Sequence, residues 1–365
     1  MLLFDLIIKS CLIALKKQGS NGSFKSGCNG PYNDQETPVR NTSHWLITLL
    51  KGYELTGEPK FKLAAERAAN YLISQDACPM DASFFCRKNP QKDFCNGLIG
   101  QAWVIEALTT ASRILNDERY IRKAEKVFCG HFFDENLGLW KILNVDGSYA
   151  GFDLTFNHQL WFAMSGALIG NALGGEIMKQ VECFLDRAVD AHFRIAFNGR
   201  IIHLLSLDTA KYKAVRAVNT IFHPIKYQKM KTRMKYKEIG YHAFNLYAFA
   251  VLYAKLPEHP IWTSKKFIRS LSYIGSKEFI DGIDNNLFGY PYNPTGFEIA
   301  YILQEFCAIL SKHHRTIEWW ISQQLIRCFD FDSGLMMKNT ADSDTHAARL
   351  YEATRLDNFT ISLTQ

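Results

Sequence analysis

The stretch Phe152–Phe162, FDLTFNHQLWF, places polar side chains directly before an apolar helical run. Its polar members Asp153, Asn157, His158 and Gln159 include groups that can exchange protons. The same order, a turn-forming loop followed by polar residues at a helix start, recurs as RNTSHWL at 40–46, NGLIGQAW at 96–103, GYHAFNLY at 240–247, NPTGFEIAY at 293–301 and DSDTHAARLYEA at 342–353. This recurrence predicts an architecture of repeated helical units.

Helices are predicted from apolar periodicity and from the Gly, Pro, Asn and Asp residues that interrupt it. The predicted segments are 1–17, 42–56, 59–75, 97–115, 118–132, 157–173, 175–195, 240–255, 260–275, 294–311, 315–329 and 343–357. The connections after residues 56, 115, 173, 255 and 311 are short, so the helices they join run antiparallel. The other connections are long, and they occupy 18–41, 76–96, 133–156, 196–239, 276–293 and 330–342. Alternation of the two kinds predicts an all-α fold, an (α/α)6 toroid formed as one domain over residues 1–365, with every long connection at one end.

The long connections carry a repeat of their own, in which a small or turn-forming residue stands beside an apolar one. It occurs as NGSF, ASFF, LGLW, NGRI, LFGY and SGLM in successive connections. Several of these suit short β-hairpins, because Gly can adopt the turn dihedrals that a hairpin requires. We therefore expect small hairpins around the mouth of the ring.

Composition indicates a globular protein without a cofactor motif. Of 365 residues, 47% are hydrophobic and 21% charged, and the net charge of 42 − 36 = +6 is modest. The nine cysteines lack zinc-ligand spacing and predict reduced thiols. The N-terminal run is interrupted by Asp5 and Lys9 and lacks a cleavage site, so it predicts an amphipathic helix rather than a signal sequence. We expect a cytoplasmic protein with no cofactor, no metal, no membrane segment and no nucleic-acid partner; the oligomeric state is left open.

The repeat layout and the segments HWL, GQAW, NHQLWFA, YHAFNLY and THAARLYEA resemble the six-hairpin glycosidase superfamily. That group includes toroidal glycoside hydrolases, unsaturated-uronyl hydrolases and sugar 2-epimerases. The resemblance covers nearly the whole chain and implies a carbohydrate ligand in the central cavity. A fold alone does not imply one reaction, so the residues at the helix starts must indicate the chemistry.

Histidines stand at four of the six helix starts, namely His44, His158, His242 and His346. A single histidine at such a position is usually a packing residue, and Asn, Asp and Thr there usually cap the helix. Four at equivalent positions indicate a shared cavity, and histidine titrates near neutral pH.

Carboxylates support a different reaction. Glycoside hydrolysis requires one carboxylic acid and one carboxylate, and Asp153 and Glu298 are the candidates at the helix starts. The same residues could simply solvate loops or cap helices. Candidate sugar-binding residues at the helix starts and in the long connections are Arg40, His44, Trp103, Trp140, Asn157, His158, Tyr241, Tyr292 and Asp344.

A basic stretch distinguishes the fourth long connection. Nine Lys or Arg residues lie between Lys211 and Lys237, and those from Lys229 onward alternate with other residues. This period of two predicts a strand with one basic face, which suits either binding of an acidic glycan or protection of an exposed edge.

Three functions are compatible with these patterns. The first is a glycoside hydrolase acting on an oligosaccharide or polysaccharide, with an anionic glycan favoured by the basic stretch. The second is a sugar epimerase or isomerase in which His242 and His346 exchange protons with the sugar. The third is a glycan-binding or scaffold protein that keeps the ring without a working site.

Overall fold

The computed structural model describes residues 1–187, 191–205, 224–310 and 315–362. Fourteen α-helices lie within these ranges. They are α1 Leu3–Lys17, α2 Val39–Thr56, α3 Pro59–Leu72, α4 Gly97–Leu115, α5 Glu118–Gly130, α6 Phe156–Leu173, α7 Glu176–Arg187, α8 Pro224–Gly240, α9 His242–Tyr253, α10 Lys265–Ser272, α11 Lys277–Ile283, α12 Thr295–Glu305, α13 Ile317–Cys328 and α14 Ser343–Ala348. Short 3₁₀ helices cover Gly30–Tyr32, Pro260–Thr263, Tyr273–Gly275 and Arg349–Arg355, the last of which continues α14.

Six helices form a closed inner ring. In order they are α2, α4, α6, α9, α12 and α14; the first five contact one another in succession, and the 3₁₀ continuation of α14 packs against both α12 and α2. The outer helices α3, α5, α7 and α13 pack behind α2, α4, α6 and α12. Helix α1 packs against α2, and its first backbone N–H bonds to the carbonyl of Phe359 near the other end of the chain. The predicted (α/α)6 toroid is confirmed.

Buried apolar side chains form one continuous cluster that runs between the two rings. Inner helices such as α4 and α6 are buried around most of their circumference, whereas the outer helix α5 buries only one face. The single-domain assignment stays a prediction.

Short connections end inner helices in the way the sequence indicates. Gly57 ends α2 with φ 68°, and Asn116 ends α4 with φ 56°, both in the left-handed region. Glycine and asparagine adopt this conformation at low cost and satisfy the last helical carbonyls. Each inner helix therefore starts at the same end of the ring, beside the long connections.

The long connections contain two small antiparallel sheets. Strands β1 Phe133–Asp134, β2 Leu139–Leu143 and β3 Tyr149–Phe152 form one, in the order β1-β2-β3. Strands β4 Phe329–Asp330 and β5 Leu335–Met336 form the other, with Phe329 opposite Met336. Hairpins at LGLW and SGLM are thereby confirmed, and an isolated bridge between Ile195 and Ile201 brackets NGRI. The segments NGSF, ASFF and LFGY form no strand in the structure.

Two local predictions are wrong. The basic stretch is helical, not extended, from Pro224 onward, because Lys, Arg, Gln and Met all favour helices and α8 faces solvent on one side. Its earlier part, residues 211–223, lies outside the described residues. The single helix expected at 260–275 is divided into a 3₁₀ turn, α10 and a second 3₁₀ turn, since Ser264 caps a new helix start by accepting the N–H of Phe267.

Across the described ranges, no helix has the length and apolar character needed to cross a membrane. All nine cysteines carry free thiols.

Candidate active site

A pocket of about 190 Å³ opens at the end of the ring where the inner helices begin. Five of the six long connections contribute to its lining, represented in order by Tyr32, Asn96, Thr155, His203 and Tyr292, and Arg349 contributes from the 3₁₀ continuation of α14. The repeated segments of the sequence thus converge on one cavity.

The pocket is strongly basic. Four cationic side chains line it, and no Asp or Glu of the described residues does; the four are Arg87, Lys92, Lys237 and Arg349. Carboxylates outside the lining pair with Arg87, Lys92 and Arg349, so that Lys237 is the cation without a carboxylate partner among the described residues. The positive ends of the inner helix dipoles point the same way. The pocket therefore favours an anionic ligand.

His158 and Asp153 form a hydrogen-bonded pair at the start of α6. Nδ1 of His158 lies 2.7 Å from Oδ2 of Asp153, which also accepts the backbone N–H of Leu98 at 3.2 Å. Burial alone would raise the pKa of Asp153, but the attraction of His158 and these hydrogen bonds hold that pKa below its usual value. Asp153 is thus a carboxylate at neutral pH, so Nδ1–H donates to it. The second ring nitrogen, Nε2, is left for a ligand in the pocket.

His203 reaches the same wall from the connection after α7. Its carbonyl accepts the backbone N–H of Phe156 at 2.9 Å, and its ring lies 5.3 Å from the ring of Tyr241. Burial, reinforced by the charge of Lys237, keeps the pKa of His203 well below its usual value. His203 is therefore a neutral imidazole beside the His158 pair.

Lys237 occupies the last turn of α8 and faces the pocket. Its Nζ lies 5.2 Å and 5.4 Å from the ring centroids of Tyr32 and Tyr241, whose hydroxyls are 2.9 Å apart. In the described part of the chain no carboxylate lies within ion-pair distance of this amine. Burial and the nearby charge of Arg233 lower the pKa of Lys237 to about 8. An anion in the pocket would supply the counter-charge that Lys237 lacks.

Two buried arginines lie at or behind the wall of the pocket. The Arg40 guanidinium stacks 4.1 Å from the ring centroid of Trp103 and bonds to Glu36 at 3.1 Å. The Arg349 guanidinium donates to the backbone carbonyl of Tyr292 at 3.0 Å. Both side chains are almost completely buried, so their positions are fixed by these contacts.

Among the residues that the structure describes, no group of three or more His, Cys, Asp or Glu side chains is placed to hold a metal ion.

The structure brings many of the sequence-predicted residues together. Those lining the pocket are Trp103, Asn157, His158, Tyr241 and Tyr292. Those that bond to or stack on the lining from behind are Arg40, Asp153 and Glu298.

Two predicted sugar-binding residues lie elsewhere. Trp140 is fully buried in the outer core, where its ring meets that of Phe162 edge-on at 5.4 Å. Asp344 forms a surface ion pair with Lys25 at 2.7 Å. Packing and surface pairing explain these two side chains without a ligand.

The expectation that four histidines share one cavity is wrong. His44 is buried beneath the pocket and stacked on Tyr351 at 4.3 Å. His242 points to the outer ring, with Nε2 2.9 Å from the carbonyl of Ser270. Burial lowers the pKa of both His242 and His346 to about 3, so both stay neutral inside the protein. Of the four, only His158 lines the pocket.

Several pocket residues were not predicted. Lys237 ends the basic stretch and lies four residues before Tyr241, so its helical position was a usable clue. Arg349 follows His346 by three residues, and no pattern in the sequence distinguishes it from the other charged residues of that segment. His203 and Arg87 lie in long connections, and no pattern in the sequence distinguishes them.

The fold is shared with solved carbohydrate-processing enzymes. A cellobiose 2-epimerase from Bacillus thermoamylovorans B4167 matches with a TM-score of 0.63 and 10% identity over 94% of each chain. An inactive variant of an α-1,6-mannanase from Salegentibacter sp. HEL1_6, in complex with α-1,6-mannotetrose, matches with a TM-score of 0.60 and 12% identity over 96% of this chain and 98% of its own. An unsaturated glucuronyl hydrolase specific for heparin matches with a TM-score of 0.58 and 14% identity over 97% and 95%. The predicted likeness to the six-hairpin glycosidase superfamily is confirmed as a likeness of fold.

No protein-family model matches the sequence. One relative is 42% identical over 371 residues, a match that covers 99% of both sequences, and it is the archaeal glycosylation protein Q of Haloferax volcanii strain DS2. The chain therefore belongs to the family of archaeal glycosylation protein Q.

The Asp153–His158 pair makes a testable contribution to stability. The pKa of Asp153 is lower in the folded protein than in the unfolded chain, where it is about 3.9. The carboxylate therefore stabilises the fold above about pH 3.9, and this stabilisation is lost as pH falls through the folded-state pKa. We expect Asp153→Asn to lower the free energy of unfolding by about 1–3 kcal/mol at neutral pH, measured by urea denaturation. The cost should shrink toward zero on acidification. Asp332→Asn, at an exposed turn, is the control and should show neither effect.

Proposed function

We propose that the protein is a carbohydrate-active enzyme that transfers protons to and from carbon in an acidic sugar, as an epimerase or isomerase does. The observation that carries this proposal is the pocket lining, which combines histidine, lysine, tyrosine and arginine with no carboxylate among the described residues. Such a set can bind an acid group and move a proton, but it lacks the acid and base of a glycosidase.

His158 is the proposed base. Its Nδ1–H is held by Asp153 at 2.7 Å, which fixes the tautomer and leaves the Nε2 lone pair for the sugar. The carboxylate also stabilises the imidazolium that forms when Nε2 takes a proton. This arrangement is the usual way in which a protein prepares a histidine for proton abstraction.

His203 and Tyr241 are the proposed partners on the same wall. A neutral imidazole can polarise a carbonyl by donating a hydrogen bond, and His203 is held neutral by burial. The Tyr241 hydroxyl, bonded to that of Tyr32, can return a proton to the sugar. The carbonyl must be polarised because proton abstraction leaves a negative charge on the carbon, which spreads onto the carbonyl oxygen. A proton donor is then needed to return a proton to the sugar.

The acid group of the sugar is assigned to the cations. Lys237 has no carboxylate partner in the described chain, and Arg349 presents its guanidinium at the base of the pocket. A hexuronate is the simplest sugar with a carboxylate, and a pocket of about 190 Å³ suits a single sugar unit. The name of the Haloferax relative supports a role in glycosylation, in which such a sugar would be modified before or after its transfer.

Hydrolysis is the second candidate, and one observation favours it. Asp93 and Asp153 both accept backbone N–H groups at the start of α4, from Gly97 at 2.7 Å and Leu98 at 3.2 Å, so two carboxyl groups lie close together behind the lining. Hydrolysis needs one of them protonated at neutral pH, whereas the pKa of Asp153 is lowered. Glu298, whose pKa is raised by burial, does not line the pocket. Proton transfer by His158 therefore fits the geometry better.

Solvent exchange tests the reaction. Incubated in D₂O with free hexuronates, the protein should introduce deuterium at carbon, as read by mass spectrometry, and the matching neutral hexoses should react far more slowly. We expect His158→Asn to reduce the exchange rate by about 100-fold or more, because general base catalysis typically contributes that much.

His259→Asn is the matched control, since this histidine does not line the pocket. Its Nε2 lies 3.2 Å from the carboxylate of Asp186. Undiminished exchange in His158→Asn would refute the assigned base. Cleavage of a hexuronide without deuterium at carbon would establish the hydrolase instead, and binding without either reaction would make the protein a glycan-binding module.

Hexuronate binding tests the assignment of Lys237. Lys237→Gln should weaken hexuronate binding about tenfold or more, because a hydrogen bond to a charged group contributes about 1.5–3 kcal/mol. Since the pKa of Lys237 is lowered to about 8, its charge is present below that pH, and wild-type affinity should fall as pH rises through 8. Isothermal titration calorimetry measures both effects.

Lys229→Gln removes a charge from the exposed part of the same helix and is the control. Equal weakening by both substitutions, or an affinity of Lys237→Gln that keeps the wild-type pH dependence, would contradict a specific contact with Lys237.

A further inference from the structure

Among the described residues, three arginines inside the ring pair with buried carboxyl groups, and the numbers of these partners differ. Arg40 pairs with Glu36 at 3.1 Å, and Arg355 pairs with Glu106 at 2.8 Å. Arg349 instead meets two carboxyl groups, that of Glu298 at 3.3 Å and that of Glu352. Two sites are therefore balanced one to one, whereas the third has a surplus carboxyl group.

The contacts of Arg349 with its two partners differ. Its Nε donates to Oε1 of Glu352 at 2.9 Å and its NH2 group donates to the same oxygen, so Glu352 holds two edges of the guanidinium. Oε1 of Glu298 accepts only one longer bond from NH2, at 3.3 Å. Glu352 is thus the better counter-ion of the two.

The remaining oxygens of the pair have no other partner in the described chain. Oε2 of Glu298 and Oε2 of Glu352 are both inaccessible to solvent and accept no hydrogen bond, while the two side chains lie within hydrogen-bond reach of each other. Two ionised carboxylates in such contact would repel strongly away from water, whereas a single proton converts the contact into an O–H···O hydrogen bond.

The groups around the triad do not supply another counter-charge. The titratable and charged side chains facing it from neighbouring elements are Arg40 and His44 of α2, Glu106 of α4, Tyr247 of α9, Tyr292 before α12 and Tyr351. Arg40 is already balanced by Glu36, and burial first, then the charges of Arg40 and Arg349, keep His44 neutral by lowering its pKa. Glu298 does lie in the first turn of α12, where the helix dipole favours an anion, but this effect is at most about 2 kcal/mol. It is smaller than the several kcal/mol that burying an unpaired charge costs.

We propose that Glu298 and Glu352 share one proton, so that Glu352 holds Arg349 as a carboxylate and Glu298 remains a neutral acid beside it. The triad then carries no net charge. Glu298 acts as a positioning residue, because it accepts a hydrogen bond from Arg349, which lines the pocket. Glu298 itself does not line the pocket. This inference concerns the resting protein and does not depend on which reaction the pocket performs.

Infrared difference spectroscopy tests the shared proton directly. At neutral pH, the spectrum of wild type minus Glu298→Gln should show the loss of one protonated carboxyl carbonyl band. Glu238→Gln is the matched control, because Glu238 is also buried but accepts a hydrogen bond from an arginine of its own, Arg200, at 3.0 Å. Its difference spectrum should show the loss of an ionised carboxylate instead.

A second variant covers the case in which Glu298→Gln does not fold. In Glu352→Gln the remaining Glu298 must become the counter-ion of Arg349, so the protonated band should disappear there too. Loss of an ionised carboxylate in Glu298→Gln, or a protonated band missing from both difference spectra, would overturn the proposal.

Unfolding in urea supplies an independent readout. Burial and Glu352 raise the pKa of Glu298 above its unfolded value of about 4.3, so its protonated form stabilises the fold at low pH and that stabilisation is lost as pH rises toward the folded value. The urea midpoint of wild type should therefore fall relative to that of Glu298→Gln as pH increases above about 4.3. A difference between the two urea midpoints that stays constant as pH rises would contradict the proposal, whatever the enzymatic assays give.

Discussion

The starts of the inner helices meet at one end of the ring, and this convergence governs the rest of the structure. A helix start exposes backbone N–H groups and carries a partial positive charge, so a site built from helix starts attracts anions before any side chain is considered. Here the side chains reinforce that field. Arginine and lysine side chains line the pocket and add to this positive charge. The described carboxylates near the mouth do not line the pocket, and Asp153 orients His158 from behind the lining.

Burial determines what each ionisable group can do in this setting. Asp153 remains ionised because a histidine and backbone N–H groups compensate its desolvation, and it can therefore orient His158. His203 lacks such compensation and stays neutral, which suits it to donate a hydrogen bond. The same rule explains the interior of the ring, where buried guanidinium groups require carboxylates and a surplus carboxyl group requires a proton.

The sequence predicted the ring because its repeated helix starts and alternating connection lengths depend only on local patterns. It predicted Trp103, His158 and Tyr241 in the pocket for the same reason. It could not predict side-chain direction, because successive residues on a helix point about 100° apart. Tyr241 faces the pocket while His242, one residue later, faces the outer ring.

Long connections were harder to predict than helices. The basic stretch alternates as a strand would, yet its residues favour a helix, and Lys237 reaches the pocket only because that helix ends there. His203 depends on a backbone bond to Phe156 far along the chain, which no local pattern encodes. The sequence therefore limited the function to three alternatives, but it did not show which histidine would carry out a proton transfer.

The central claim is that a basic pocket, with no carboxylate among the described residues that line it, binds an acidic sugar against His158. A crystal structure of the protein soaked with a hexuronate tests it most directly. The account predicts that the sugar occupies the pocket with its carboxylate at Lys237 or Arg349 and a ring carbon facing Nε2 of His158. A hexuronate bound with its acid group toward solvent, or bound only in the separate cavity that Lys255 lines just beyond the end of α9, would contradict the account.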